Sequence, residues 1–248
     1  MLSSLQAQFD SLKQNQDKGL LILIDPDKPP TDLPAFLRQA EGVGARAILV
    51  GGSLTLGSEI QQLVPTIKAH TALPVILFPG SSHQVTPAAD GILLLSLISG
   101  RNPDLLIGRH VEAAPLIEAA KLQVLPTGYM LIEAGNYTTV NYISQTMPIP
   151  RNKAQIAMST ALAGQQLGLK LIYLDGGSGA KWTVPAEMIQ AVAGVVKIPV
   201  IVGGGMRSAA DVYQAWMAGA DLVVVGTVLE GEGASTFFEE LHAFSEEI

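Results

Sequence analysis

The stretch "PVIVGGGMRSAADVYQAWMAGADLVVVGT", Pro199 to Thr227, decides how the chain is organised. Pro199 to Val202 is a short apolar, β-branched run that ends in Gly203, Gly204 and Gly205. Asp221 to Val225 is a second such run, and it ends in Gly226-Thr227. Between them Ser208 to Ala218 carries apolar residues at helical spacing, so the unit reads strand, helix, strand with glycine at both carboxyl ends. Any one of these glycines is explained by a tight turn. Two clusters at the ends of successive strands point further. A backbone without Cβ atoms can aim several N–H groups at one external anion, and a helix start nearby adds favourable dipole charge. The expected tenant is a phosphate.

The same alternation runs along the whole chain. Uninterrupted apolar runs, as expected of strands covered on both faces, occur at Gly19 to Asp25, Ala47 to Val50, Pro74 to Phe78, Gly91 to Leu95, Val124 to Ile132, Leu169 to Asp175, Pro199 to Val202 and Asp221 to Val225. Helical patterns lie between most of them, at Thr31 to Glu41, Ser58 to Ala69, Asp104 to Ala120, Lys153 to Leu167, Pro185 to Val195 and Ser208 to Ala218. Such an order predicts right-handed βα units that close into a (β/α)8 TIM barrel. One unit departs from the pattern: "PGSSHQVTPAAD" between the third and fourth strands has two prolines, a glycine and no 3.6-residue stripe. The barrel is therefore expected to lack that helix. Leu2 to Leu12 predicts an additional helix ahead of the first strand, Thr236 to Ser245 the closing helix, and Thr138 to Arg151 a surface excursion near the mouth. No linker-like segment divides residues 1–248, which read as a single barrel domain.

Composition excludes several function classes. The 248 residues are 48% hydrophobic and 15% charged, which suits a large core and not a disordered chain. A formal net charge of −7 argues against nucleic acid as a partner, so any phosphate site must be local. The absence of cysteine removes disulfides, thiolate metal sites and cysteine nucleophiles. The N-terminal residues are polar and amphipathic, without the apolar core of a signal peptide, and the longest apolar runs fall short of the ~20 residues of a membrane helix. A cytoplasmic protein without stable membrane insertion is expected.

In barrels of this kind the chemistry collects where strands end at their carboxyl side. The first strand ends in Asp25-Pro26-Asp27-Lys28, the second in Gly51-Gly52-Ser53, and the sixth in Tyr173-Leu174-Asp175 followed by Gly176, Gly177, Ser178 and Gly179. Asp25 and Asp27 fit a turn, yet Asp25 is near enough to the strand to point into the mouth. There a hard oxygen, joined by Ser53, suits Mg²⁺ shared with substrate phosphates. Spacing alone does not specify the metal. Asp175 stands beside a second glycine nest, where a carboxylate would repel a phosphate and is better aimed at a hydroxyl. That combination suits a phosphorylated alcohol. Glu133 is the other carboxylate at the mouth, and His83 is the one histidine in a mouth loop.

Taken together, "LLILIDPDK", "ILVGGS", "LFPGSSHQV", "LLLSLISGRNPDLLIG", "PTGYMLIE", "YLDGGSGA", "VGGGMRS" and "VVVGT" resemble the geranylgeranylglyceryl phosphate synthase family, which includes the PcrB-like heptaprenylglyceryl phosphate synthases. The glycine-rich ends are common to many phosphate-binding barrels. "IDPDK", "FPGS", "SLISGRNP" and "YLDGGSGA" make the match specific. The resemblance implies a barrel without the helix between strands three and four, in agreement with the gap above. It implies a Mg²⁺-dependent prenyltransferase in which the 3-hydroxyl of sn-glycerol 1-phosphate attacks C1 of geranylgeranyl diphosphate or a related polyprenyl diphosphate. Carried onto this sequence, it implies Mg²⁺ at Asp25 and Ser53, and sn-glycerol 1-phosphate along Tyr173, Leu174, Asp175, Gly176, Gly177, Ser178, Gly179, Gly204, Gly205, Gly226 and Thr227. Asp175 and Tyr173 are the implied catalytic pair, and the implied assembly is a homo-oligomer, a dimer or hexamer. Members of that family usually carry Glu where this chain has Asp175, so here the hydroxyl must be reached by a shorter arm. Read without the resemblance, the same glycines would equally serve a sugar-phosphate isomerase or lyase, or a non-catalytic phosphometabolite-binding protein.

Overall fold

Eight parallel strands account for the apolar runs among the residues that the structure, a computed structural model, describes: 4–54, 59–231 and 233–246. They are β1 (Gly19–Ile24), β2 (Ala45–Gly52), β3 (Val75–Pro79), β4 (Gly91–Leu97), β5 (Gln123–Leu131), β6 (Leu171–Asp175), β7 (Val200–Gly203) and β8 (Leu222–Val225). Each pairs with the next, and β8 returns to β1 with Leu20 opposite Val223, so the sheet closes into a barrel.

The reason the runs are continuous is visible in the packing. Alternate residues face opposite sides of a strand. Leu21, Leu49, Ile76, Leu93, Leu125, Leu131, Leu171, Tyr173, Ile201 and Val224 fill the barrel interior. Their neighbours Ile22, Ile48, Val75, Ile92, Met130, Ile172, Val200 and Val223 pack outward under the helices. This parity also sets the mouth: Asp25 continues the inward row of Leu21 and Leu23, Asp175 that of Leu171 and Tyr173, and Gly226 that of Leu222 and Val224.

Helices α2 (Leu33–Gly42), α3 (Ile60–Lys68), α4 (Arg109–Ala120), α6 (Ala154–Gln166), α7 (Ala186–Ala193), α8 (Ala209–Met217) and α9 (Ala234–Glu246) form the outer ring, each where a helical pattern was expected. The helix expected from Asp104 begins as a π-helical turn, Asp104–Gly108, before becoming α4. Between β3 and β4 there is only a single 3₁₀ turn, Ser82–Gln84, which bears out the loss of that helix. The excursion after β5 holds a six-residue helix, α5 (Thr139–Ser144), started by a reciprocal cap in which Asn141 Oδ1 accepts the Thr138 N–H at 2.9 Å. Ser58 and Leu2, where two helices were expected to begin, lie outside the described residues.

Helix α1 (Leu5–Asn15) closes the bottom of the barrel. Ser4 caps its start by accepting the Ala7 N–H, and Leu5, Phe9 and Leu12 enter the interior core beside Leu222 and Leu125. Lys13 Nζ bonds Asp221 Oδ2 at 3.1 Å, and Asp221 also accepts the Val200 N–H, so α1 is fixed to the strand starts. Phe9 is 1% exposed. Phe9→Ala is expected to cost about 3–5 kcal/mol in denaturant unfolding, the usual range for a buried aromatic truncated to alanine. A cost under about 1 kcal/mol, within the range of surface substitutions, would mean that α1 does not close the core.

Candidate active site

At the carboxyl end of the barrel the strand ends enclose a polar cleft of about 440 Å³. Asp25, Ser53, Tyr173, Asp175, Ser178, Gly179, Gly204, Gly205, Gly226 and Thr227 line it together, with Lys28, Arg207 and Glu230 at its walls. Residues from opposite ends of the chain, such as Asp25 and Glu230, therefore share one space because β8 closes onto β1. Ser178 Oγ and Thr227 Oγ1 are 3.1 Å apart, joining the loop after β6 to the turn after β8. Gly204 has φ +82, and a Cβ there would stand 2.6 Å from the Gly176 N and 2.7 Å from Asp175 Oδ1. Gly205 has φ +75. Both positions need glycine for conformation, and Gly204 needs it for space as well.

Asp175 is buried at the end of β6 and held at both oxygens. Tyr129, from the neighbouring strand β5, donates its hydroxyl to Oδ2 at 2.5 Å, and the Gly177 N–H donates to Oδ1 at 2.7 Å. Burial raises the carboxyl above its ordinary pKa, while these two hydrogen bonds pull it back down. Burial, reinforced by the Asp175 charge, pushes the Tyr129 and Tyr173 phenols well above theirs. Both phenols are thus protonated, and Tyr129 is the donor. Phe78 stacks on Tyr173 with centroids 5.5 Å apart, and Tyr129 meets Tyr173 edge-on at 5.4 Å.

Asp25 is half-buried, and its Oδ1 accepts the Asp27 N–H at 2.9 Å while the Lys28 N–H bonds its carbonyl at 3.0 Å. The turn role is therefore real, but it occupies one carboxylate oxygen only. Burial raises the Asp25 pKa, and the negative charges of Asp27 and Glu230 raise it further. A carboxylate so placed favours a cation beside it.

A second cavity, of about 150 Å³, is apolar and is enclosed by β3 and the turn after it, β4, α4 and α5. Phe78, Val85, Ile92, Leu95, Leu105, Ala113, Ile117, Val140 and Ile143 are among its walls. Gly52, Ser53 and Phe78 line both this cavity and the polar cleft. An amphiphile with an anionic head and a hydrocarbon tail would lie across that junction.

The PcrB family model matches residues 12–244. The chain belongs to the PcrB family. Relatives called geranylgeranylglyceryl phosphate synthase include one from Spirosoma linguale, 50% identical over 86% of each chain, and one from Flavobacterium johnsoniae, 46% identical over 96% of this chain and 98% of that one. The crystal structure of (S)-3-O-geranylgeranylglyceryl phosphate synthase from Thermoplasma acidophilum in complex with its substrate sn-glycerol-1-phosphate superposes with a TM-score of 0.91. It is 34% identical, covering 100% of this chain and 99% of that one. The PcrB-family chain is an enzyme of the geranylgeranylglyceryl phosphate synthase type.

In this PcrB-family enzyme the expected site residues do not all play the same part. Leu174 is fully buried in the outward-facing core, so only its backbone is near the cleft. Gly176 and Gly177 sit behind the cleft with their N–H groups already given to the Gly203 carbonyl and to Asp175. Glu133 is exposed and accepts the Arg151 N–H, and His83 is exposed on the 3₁₀ turn; neither lines either cavity. The histidine that does line one is His110 on α4, with Nε2 2.9 Å from the Leu95 carbonyl and Nδ1 buried without a hydrogen-bond partner. Tyr129, the partner of Asp175, was missed as a site residue although strand parity identifies it: it pairs with Tyr173 and faces the same interior.

Proposed function

We propose that the enzyme transfers a polyprenyl group from its diphosphate to the 3-hydroxyl of sn-glycerol 1-phosphate, with geranylgeranyl diphosphate as the donor, forming the ether of geranylgeranylglyceryl phosphate. The observation that carries this reading is the junction at Ser53 and Phe78, where the polar cleft at the barrel mouth meets an apolar cavity. The Thermoplasma acidophilum protein, which shares the fold throughout, was crystallised with sn-glycerol-1-phosphate.

The glycerol phosphate's phosphate is taken by Ser178, Gly179, Gly204, Gly205, Gly226 and Thr227, which line the cleft together with bare backbone and hydroxyls, the Ser178 and Thr227 hydroxyls in contact. With its phosphate bound there, the glycerol unit directs its hydroxyls to Asp175, which lines the same cleft. Asp175, oriented by Tyr129 and Gly177, accepts the proton of the 3-hydroxyl as its oxygen bonds to C1 of the prenyl group and the C1–O bond to diphosphate breaks. Tyr173 packs beside it and stays protonated. The isoprenoid tail lies in the apolar cavity, entered past Phe78, whose ring stacks on Tyr173 on the cleft side.

Mg²⁺ fits Asp25 and Ser53. Among the described residues no group of three or more His, Cys, Asp or Glu side chains forms a cage, but Mg²⁺ is commonly held by one or two carboxylates and the substrate's own phosphates. Asp25 supplies an oxygen free of the turn, and Ser53 stands at the junction where the diphosphate head belongs. When bound, the ion neutralises charge on the departing diphosphate. Among the described residues no helix is long and apolar enough to cross a membrane.

For a sugar-phosphate isomerase or lyase the acid or base expected opposite Asp175 was Glu133, which is exposed and does not line the cleft. Such an enzyme would also have no use for the apolar cavity. Radiolabelled sn-glycerol 1-phosphate incubated with Mg²⁺ and prenyl diphosphates from C10 to C35 is expected to move label into the organic phase. Label that stays aqueous at every chain length would reject the transfer.

The glycine cradle has its own test. Gly204→Ala is expected to raise the KM for sn-glycerol 1-phosphate by about 10-fold or more, with the KM for prenyl diphosphate nearly unchanged, because the added methyl meets the Gly176 N and Asp175 at a positive φ. A folded variant that binds sn-glycerol 1-phosphate as wild type does, by calorimetry, would reduce these glycines to turn formers. Self-association is supported by the exposure of Tyr137, Tyr142, Ile143 and Met147 around α5. Light scattering is expected to give at least twice the 26.1 kDa chain mass, and a monomer would contradict it.

A further inference from the structure

The polar cleft is poor in positive charge. Among the described residues its walls carry three carboxylates, Asp25, Asp175 and Glu230, against two cations, Lys28 and Arg207. Arg207 is committed elsewhere: Nη1 donates to the Lys181 carbonyl at 2.9 Å and Nη2 to the Ala180 carbonyl at 3.0 Å, tying the end of β7 to the loop after β6. Lys28 is placed differently. It closes the turn that begins at Asp25, and its Nζ lies 3.0 Å from Glu230 Oε2, with the lysine side chain 63% exposed and the glutamate 26%.

We propose that Lys28 is a diphosphate-binding residue that Glu230 holds in waiting and releases when the prenyl diphosphate arrives. The assignment rests on the transfer reaction proposed above. An exposed lysine–carboxylate pair contributes little net stability, so exchanging partners costs little. A diphosphate presents several charges and many acceptor oxygens, and the lysine ammonium is a mobile point charge suited to them. Lys28 shares its turn with Asp25 and lines the same cleft, so its ammonium stands on the side where a diphosphate head held at Asp25 would be. There it opposes the charge that grows on the leaving group as the C1–O bond breaks. Glu230 enters the cleft from the turn after β8. It follows the 3₁₀ turn Thr227–Leu229, and its N–H bonds the Thr227 carbonyl at 3.2 Å.

The two ends of the ion pair should therefore respond with opposite signs, which a structural brace would not do. Inorganic pyrophosphate with Mg²⁺, and separately sn-glycerol 1-phosphate, would be titrated calorimetrically into the full chain as wild type, Lys28→Met, Glu230→Gln and the double variant. Lys28→Met is expected to weaken pyrophosphate binding about tenfold or more, as loss of a charge-assisted contact does. Glu230→Gln is expected to strengthen it by about threefold, since Lys28 is then free, with no gain left in the Lys28→Met background. Affinity for sn-glycerol 1-phosphate should stay within about twofold throughout, because no removed charge contacts it directly. Weakening by both single variants, an unchanged Lys28→Met, or a gain that persists in the double variant overturns the assignment of Lys28. A wild-type chain that binds neither ligand overturns it together with the transfer reaction itself.

Discussion

Asp175→Asn is expected to lower turnover by about 10²-fold or more in a folded chain, the loss that follows removal of a general base or positioning group. Asparagine keeps the volume and one acceptor but cannot take the hydroxyl proton. The pH dependence sharpens the expectation. Burial raises the Asp175 pKa, so the ionised base forms only at a higher pH than an ordinary carboxylate allows, and the acid limb of kcat lies correspondingly higher. The Tyr129 hydrogen bond favours the ionised form. Tyr129→Phe removes it and should move that limb further up, depressing activity at low pH more than at high pH. Turnover against pH and thermal melting, measured on the same preparations, decide the matter. Wild-type kcat in Asp175→Asn would leave Asp175 as a turn residue that caps Gly177.

Asp25→Asn should be comparably damaging for a different reason. The amide retains the acceptor that holds the Asp27 N–H, so the turn survives, but the negative charge that would draw Mg²⁺ to the diphosphate is gone. Losing such charge stabilisation of a leaving group typically costs about 10²–10³ in turnover. Raising Mg²⁺ should recover part of it, while calorimetric affinity for sn-glycerol 1-phosphate should be close to wild type, since that phosphate is held by the loops after β6, β7 and β8. Full activity at low Mg²⁺ would remove Asp25 from the metal site. Equal weakening of sn-glycerol 1-phosphate binding would point to a collapsed mouth.

The barrel was legible because parallel strands covered on both faces need apolar residues at every position. Val200 to Val202 and Leu222 to Val225 satisfy that with almost no polar interruption, so their number and order can be counted along the chain. The missing helix was legible by the same logic, since Pro79, Gly80 and Pro87 with no apolar stripe leave nothing for a helix to bury. The site was legible where it is local: the strand ends at Asp25, Ser53, Asp175, Gly204 and Gly226 converge because barrel closure brings all carboxyl ends to one face.

What escaped is non-local or small. The apolar cavity is built from β3, β4, α4 and α5, whose lining residues look like ordinary core in any one segment. His110 is indistinguishable from a surface histidine until α4 is placed over Leu95. Helix α5 has only six residues and depends on its Thr138–Asn141 cap more than on amphipathic pattern. Leu174 was included with its neighbours Tyr173 and Asp175 because the motif is contiguous, whereas alternation along β6 turns its side chain to the opposite face. The hydroxyl that holds Asp175 belongs to Tyr129, a residue 46 positions away that only strand pairing brings to it.

The central claim is that the glycerol hydroxyl, positioned by Asp175, attacks carbon and not phosphorus. sn-Glycerol 1-phosphate carrying ¹⁸O at its 3-hydroxyl, incubated with geranylgeranyl diphosphate, Mg²⁺ and the wild-type chain, should yield an extractable lipid that retains the label in its ether oxygen, with none in the released diphosphate by mass spectrometry. Failure to form that lipid, or label recovered bound to phosphorus, would contradict the account.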